Sequence, residues 1–201
     1  MNRERVVADV SGLPTVVFGP RNLGWWGTTG FAVIEGFSLA LCAVTYVYLR
    51  KNYIVWPPEG TKLPSLLLPT INMGIMLASL PLALWTKKRA ERLELGPVRI
   101  GLILSSLVTV VTFGLRIAEF TALNTQWNSN AYSSIIWTIL GFHGTLMLID
   151  LYDTIGLTLI TFLRMESKWF PEAADNANYW LFTVLVWVPM YLLVYFGPRW
   201  L

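Results

Sequence analysis

Ionisable side chains inside long apolar runs are the residues of this chain that could do chemistry. Glu35 lies in the first run, and the fourth run holds three more such residues: His143, Asp150 and Asp153. Inserting such a side chain at the centre of a membrane helix costs at least about 2.5–3.5 kcal/mol of free energy. We therefore expect each of them to have a stabilising partner or a function. Helical positions advance by about 100° per residue, which puts the three residues of the fourth run on one side of their helix. We expect a cluster that holds, stores or relays protons, in which Glu35 faces Asp150 or His143 across a helix contact. Two carboxyl groups placed in this way would share one proton.

Simpler structural roles stay open for the same residues. Glu35 is alternatively a protonated acid that is hydrogen-bonded to a neighbouring backbone group, and the two aspartates are alternatively polar contacts that join helices. His143 stands alone between Phe142 and Gly144, which is more typical of a packing histidine than of a ligand.

Arg116 and Glu119 are spaced as an ion pair in the third apolar run. Residues three positions apart are neighbours on a helix surface, so their charges can meet. We predict a structural pair near the outer membrane interface that anchors this helix, with a role in transport as the alternative.

Redox or hydrolytic chemistry carried by this chain alone is not expected. Its single cysteine, Cys42, cannot form a disulfide within the chain, and its single histidine cannot ligate a haem from both faces or build a zinc or copper site alone. We find no glycine-rich phosphate loop and no Ser/His/Asp set. The sequence therefore predicts no catalytic residue, no metal site and no cofactor held by this chain.

The elements that carry these residues are membrane helices. Hydrophobic residues make up 55% of the 201 and charged residues 13%, against about 25% charged in soluble domains. Five apolar runs each reach the length of about 20 residues that crosses a bilayer. We predict an all-α, polytopic membrane protein: a polar cytoplasmic arm over residues 1–25, then a five-helix transmembrane domain over residues 26–201. The predicted spans are about 26–49, 63–85, 98–123, 131–163 and 179–196.

Basic residues set the predicted orientation. If the N-terminus is cytoplasmic, the segments on that side carry ten lysines and arginines, and those on the opposite side carry four. Cytoplasmic segments of membrane proteins are enriched in these residues, so we predict the N-in/C-out orientation.

Short motifs along all five runs, taken in order, resemble subunit III of the haem-copper oxidases of the cytochrome c oxidase type. The resemblance covers roughly residues 25–201 and follows helices three to seven of that family. The matching pieces are Trp26-Gly27, Gly30-Phe31 and Glu35; Leu68-Pro69-Thr70-Ile71-Asn72 and Leu77-Ala78-Ser79; Glu119-Phe120; Tyr132 and Gly141-Phe142-His143-Gly144; and Tyr179-Trp180, Val186-Trp187, Tyr191 and Gly197.

The resemblance implies the short, five-helix form of that subunit, oriented N-in and C-out. Such a subunit binds no metal, packs on the catalytic subunit I, holds phospholipid, lines an oxygen route, and supports proton uptake and longevity of the enzyme. Haem and copper then belong to partner subunits. Glu35 corresponds to the buried, carbodiimide-reactive glutamate of the family, and His143 to the first histidine of its sixth helix.

Four positions depart from the family pattern. Leu146 replaces a second histidine and Asp150 replaces a glycine, while Leu181 and Val184 replace a histidine and an aspartate of the last helix. The usual acidic partner of the buried glutamate is therefore missing. We hypothesise that Asp150 or Asp153 takes its place, in a divergent branch or an unusual oxidase supercomplex.

The sequence thus predicts a non-catalytic subunit III of an aerobic respiratory cytochrome c oxidase, in a bacterial inner membrane, with other oxidase subunits and membrane lipids as partners. An accessory subunit of a nitric oxide reductase system is one alternative. A stand-alone transporter is another, although no inverted repeat is evident.

Overall fold

Five long α-helices follow one another in the computed structural model, which describes residues 16–163 and 166–200. The helices are α1 (Leu23–Lys51), α2 (Leu67–Glu91), α3 (Leu95–Ala122), α4 (Ala131–Leu163) and α5 (Trp169–Tyr191). A 3-10 turn (Gly19–Arg21) precedes α1, and a π-helical segment (Leu192–Phe196) and a short helix α6 (Gly197–Trp200) continue α5. The five long helices, α5 with its continuation, are long and apolar enough to cross a membrane. This confirms the predicted all-α, five-helix membrane class.

Helix ends differ from the ends of the predicted membrane spans. α5 begins at Trp169, ten residues before the fifth predicted span, because Pro171 suits the first turn of a helix. α2 begins only at Leu67, and Pro69 lies in its first turn, where a proline is tolerated. The placement of the membrane along these helices and the N-in/C-out orientation stay predictions. Residues 1–15 of the predicted cytoplasmic arm lie outside the described residues.

The helices form one bundle in which α5 is central. α2 packs against α3 and α5, α3 packs against α4, and α1 packs against both α4 and α5, which also touch each other. Consecutive helices run in opposite directions, so α1, α3 and α5 begin at one end of the bundle and α2 and α4 finish there. We call this the N-side end. Hydrogen bonds from Arg99 to the Thr161 carbonyl fix α3 to α4 at this end.

α1 lies at the edge of the bundle and buries one narrow stripe. Its buried residues are Glu35, Leu39 and Tyr46, which are spaced by four and seven positions and so share one face. The remaining surface of α1 is largely apolar and points outward. The structure therefore places Glu35 on the only face of α1 that meets the other described helices.

α2 and α3 approach each other closely at Gly101. A Cβ atom at this position would overlap the buried Thr86 hydroxyl, whereas a Cβ at Gly114 of the same helix would meet nothing within 4 Å. We expect Gly101→Ala to lower the free energy of unfolding by about 1–3 kcal/mol through overpacking. Equilibrium unfolding in mixed SDS micelles measures this difference, with Gly114→Ala as the matched control. Equal effects of the two substitutions would contradict the close approach.

Candidate functional site

Glu35 is buried and bonded to α5. Its side chain is 5% exposed, and the Tyr179 hydroxyl donates a hydrogen bond of 2.8 Å to Glu35 Oε2. The Tyr179 ring also stacks on Phe31, one turn before Glu35, with the ring centroids 6.2 Å apart. The acid thus joins α1 to α5 through a phenol, a partner that sequence reasoning missed. Tyr179 belongs to the Tyr179-Trp180 motif noted above, and this motif was the sequence feature that could have pointed to Tyr179 as a site residue.

Asp150 and Asp153 bond to other side chains of α3, α4 and α5. Asp150 is buried, and Thr109 and Thr154 hydroxyls donate to its Oδ2, each at 3.4 Å. Asp153 is exposed on the flank of the bundle and accepts a hydrogen bond of 3.0 Å from Asn176 Nδ2. Both aspartates lie within electrostatic range of Tyr179. The hypothesis that one of them serves as acidic partner to Glu35 stays a prediction, with Tyr179 between the groups.

His143 is fully buried between α4 and α5. A backbone carbonyl can only accept, so His143 Nε2–H donates to the Thr183 carbonyl at 3.0 Å. The imidazole packs on Trp187 with the ring centroids 4.4 Å apart. These contacts fit the packing role that the sequence favours for this histidine.

Arg116 and Glu119 form a salt bridge in the interior of the bundle. Arg116 Nη1 lies 2.6 Å from Glu119 Oε2, and the two side chains are 1% and 0% exposed. Asn72 of α2 donates to Glu119 Oε1 at 2.5 Å, and Tyr195 of the π-helical segment donates to Oε2 at 3.0 Å. The pair therefore joins α2, α3 and the end of α5 at once. Sequence reasoning missed both hydroxyl and amide partners.

The guanidinium group of this pair lies over the ring of Trp187. The Arg116 guanidinium carbon lies 3.9 Å from the centroid of the Trp187 ring, within cation–π range. His143 packs on the same ring, so Trp187 is enclosed by two nitrogen-bearing groups and has no exposed surface. The indole connects the histidine of α4 to the ion pair of α3.

A cavity of about 270 Å³ opens at the N-side end between α1, α4 and α5. We call it the acidic cavity, because three carboxylates lie in its wall. Its lining includes Phe31, Tyr152, Asp153, Glu172, Asp175 and Tyr179. Sequence reasoning assigned Glu172 and Asp175 to a loop, but α5 begins before both and carries them into the bundle. The hydrogen-bond partner of Glu35, Tyr179, thus forms part of the cavity wall.

A second cavity, of about 290 Å³, adjoins the acidic cavity. The two share Thr28, Asp175 and Tyr179, and the second adds Trp25 and Lys87. Within the described ranges, no three His, Cys, Asp or Glu side chains are grouped as they would be around a metal ion. The site can therefore bind polar or charged groups and hold protons, but these residues are not arranged as a metal centre.

Comparisons with known proteins identify the family. A family model described as cytochrome c oxidase subunit III matches residues 27–199, which is most of the chain. The chain belongs to the cytochrome c oxidase subunit III family. The matched range includes all six ionisable candidates, Glu35, Arg116, Glu119, His143, Asp150 and Asp153.

Individual members of the cytochrome c oxidase subunit III family match at low identity. The chain is 25% identical to cytochrome c oxidase subunit 3 of Synechocystis sp., over 88% of this chain and 77% of that protein. It is 24% identical to the Thermostichus vulcanus protein of the same name, over 86% and 87%. It is 25% identical to the probable cytochrome c oxidase subunit 3 of Nocardia farcinica, over 80% of each. The resemblance noted from the motifs is confirmed. Sequence identities of 24–25% confirm that this chain is a divergent member of the family.

Proposed function

We propose that this chain is the non-catalytic subunit III of an aerobic respiratory cytochrome c oxidase, placed N-in and C-out in a bacterial inner membrane. Membership of the subunit III family across residues 27–199 is the observation that carries this proposal. Haem and copper belong to partner subunits, and the chain packs on subunit I. The apolar outward faces of α1 and α3 supply surface for that contact and for lipid.

The acidic residues at the N-side end support a part in proton uptake. In the proposed orientation this end faces the cytoplasm, from which a respiratory oxidase takes its protons. Asp153 is exposed there, Asp150 is buried behind it, and Glu35 is reached through the Tyr179 hydroxyl. This series of protonatable groups leads from the cavity into the bundle. Support of oxygen access and of the stability of the complex belongs to the same proposal.

Purification separates this function from the alternatives. The relatives described above are named cytochrome c oxidase subunit 3, which favours an oxidase over a nitric oxide reductase system. A subunit III should co-purify with a haem- and copper-containing subunit that reduces oxygen. Isolation of the chain with a nitric oxide reductase, or as an active transporter without partners, would contradict the proposal.

Glu35→Ala tests the role of the buried acid within the complex. We expect unchanged haem content but loss of activity after fewer turnovers, because the carboxyl group behind Tyr179 is gone. The measurement is haem absorbance per complex together with oxygen consumption until inactivation. Glu91→Ala is the control, since Glu91 is an exposed carboxylate at the same end of the bundle. Loss of haem from the Glu35 variant would instead assign this residue to assembly.

A further inference from the structure

The buried carboxylate of Asp150 is short of hydrogen-bond donors. Its side chain is 1% exposed, and its Oδ1 has no hydrogen-bond partner among the described residues. Its Oδ2 lies 3.4 Å from the hydroxyl oxygens of both Thr109 and Thr154. Hydrogen bonds between oxygens are usually about 2.7–2.8 Å long, so both contacts are weak. Buried polar atoms are almost always satisfied, so this carboxylate indicates a missing donor or cation.

The two hydroxyl groups cannot supply the missing donors, because a threonine hydroxyl has one hydrogen. Thr109 Oγ1 also lies 3.0 Å from the Ser105 carbonyl oxygen, which is its shorter contact. Thr154 Oγ1 also lies 3.3 Å from Asn176 Oδ1. Two hydrogens are therefore shared among four acceptor contacts, two of which are to Asp150.

The orientation of the Asn176 amide adds one more acceptor. An ionised carboxylate can only accept, so the Asn176 atom 3.0 Å from Asp153 Oδ2 is the amide nitrogen Nδ2. The same nitrogen donates to Thr154 Oγ1 at 3.0 Å and thereby uses its second hydrogen. Asn176 Oδ1 stays an acceptor beside Thr154. Side-chain oxygens of Thr109, Asp150, Thr154 and Asn176 thus form a chain of oxygens across α3, α4 and α5.

The spacing within this chain of oxygens suits a cation of the size of sodium. Neighbouring ligands in an octahedral shell lie about 1.4 times the metal–oxygen distance apart, so oxygens about 2.4 Å from a cation are about 3.4 Å from each other. The three contacts along the chain of oxygens measure 3.4, 3.4 and 3.3 Å. Magnesium, with metal–oxygen distances of about 2.0–2.1 Å, needs neighbours about 3 Å apart. Potassium is larger than sodium and needs a wider spacing.

The charge of these ligands favours a monovalent ion. Asp150 is the buried carboxylate among them, and the other ligands are neutral hydroxyl and amide oxygens. A buried charge is stable only when it is paired, so one positive charge balances this carboxylate and a divalent ion would leave an excess. The described residues contain no group of three His, Cys, Asp or Glu side chains of the kind that marks a metal centre. A hard cation also takes amide and other neutral oxygens, so a single carboxylate suffices for sodium.

The acidic cavity gives a cation access to these ligands. Asp153 and Asn176 line it, and Asn176 contacts Thr154 behind the wall. Glu172 and Asp175 line it too, so three carboxylates attract cations to the entrance.

We propose that Thr109, Asp150, Thr154 and Asn176 form a binding site for a sodium ion. Metal ligands must be deprotonated, so sodium competes with the proton that neutralises Asp150 when the site is vacant. The bound ion joins α3, α4 and α5 and stabilises the packed bundle, because its ligands separate when the helices come apart.

Sodium binding to the purified complex that contains this chain tests the site. Bound ions are counted by equilibrium dialysis with radioactive sodium, with choline chloride added to keep the ionic strength constant. We expect the Asp150→Asn complex to bind one sodium ion fewer than the unmodified complex, since asparagine keeps the shape of the side chain but removes its charge. Equal sodium counts in the two complexes would overturn the proposal.

Threonine variants separate the ligands from general packing. Thr109→Val and Thr154→Val keep the side-chain volume but remove a ligand, and each should weaken binding of this ion at least about tenfold, or 1.4 kcal/mol. Thr112→Val is the matched control, because Thr112 is also buried on α3 and its hydroxyl donates to backbone carbonyls of its own helix. Equal effects of the three variants would contradict the assigned ligands.

Infrared difference spectroscopy separates a sodium ion from a proton. A protonated carboxyl group has a C=O band that an ionised one lacks. We expect added sodium to remove one such band from the unmodified complex but not from Asp150→Asn, and added potassium to have a weaker effect. An Asp150 band that persists in saturating sodium, or an equal response to potassium, would overturn the proposal. Haem content of the same samples tests the proposed function separately, because membership of the oxidase does not depend on sodium.

Discussion

Arg116→Ala is expected to lower the free energy of unfolding by about 3–5 kcal/mol, because it leaves the Glu119 carboxylate buried without its cation. The Glu119 side chain is fully buried, and neutral donors from Asn72 and Tyr195 alone remain to compensate its charge. The substitution also removes the cation–π contact with Trp187. Equilibrium unfolding in mixed SDS micelles measures the loss.

A second arginine–glutamate pair provides a matched control. Arg89 Nη1 lies 2.6 Å from Glu94 Oε2, the same distance as in the buried pair, but these side chains are 33% and 35% exposed. Water screens this pair, so Arg89→Ala should cost only about 0–1 kcal/mol. The double variant Arg116→Met with Glu119→Leu should be less destabilised than Arg116→Ala alone, because no unpaired charge remains. Equal losses for Arg116→Ala and Arg89→Ala would show that burial does not decide the effect.

Trp187→Ala is expected to cost about 3–5 kcal/mol, as is usual when a buried aromatic side chain is truncated. Trp187 has no exposed surface, and its ring contacts both the Arg116 guanidinium and the His143 imidazole. Its removal leaves a cavity between three helices and takes away the aromatic face on which the cation lies. The same unfolding assay applies.

Trp127→Ala is the control for this prediction, because Trp127 is 64% exposed in the loop before α4. Its loss should change stability by no more than about 0.5 kcal/mol. Because Trp187 and Arg116 touch, the effects of their substitutions should not add in a double-mutant cycle. Additive losses would mean that the cation–π contact contributes nothing to stability.

Several site residues can be predicted from the sequence, because the free-energy cost of placing a charged side chain in an apolar helix depends only on that helix. An acid in an apolar run, such as Glu35, must be buried or paired wherever the helix packs. Arg116 and Glu119 meet because residues three apart on a helix are neighbours, whatever surrounds them. Their burial among the helices did not follow, since the sequence showed only that the pair lies near the end of the third apolar run, and its placement near the outer interface stays a prediction.

The acidic cavity shows where sequence reasoning ends. Glu172 and Asp175 read as loop residues because their segment is polar, yet α5 starts before them and carries both inward. Tyr179 is separated from Glu35 by 144 positions in the chain, and no periodicity within either helix pairs them. Such contacts depend on which helix faces meet.

The sequence by itself determined the class of this protein: five apolar helices that cross a membrane, with a few ionisable groups inside them. The length of each apolar segment and the free-energy cost of placing ionisable groups in the bilayer determine this class. Both are properties of each segment alone. The tertiary structure decided which groups meet, because α5 and its π-helical continuation pack centrally and bring Tyr179, Trp187 and Tyr195 to the acids and the cation of α1 and α3. Those partners come from distant segments, so only the packed bundle specifies them.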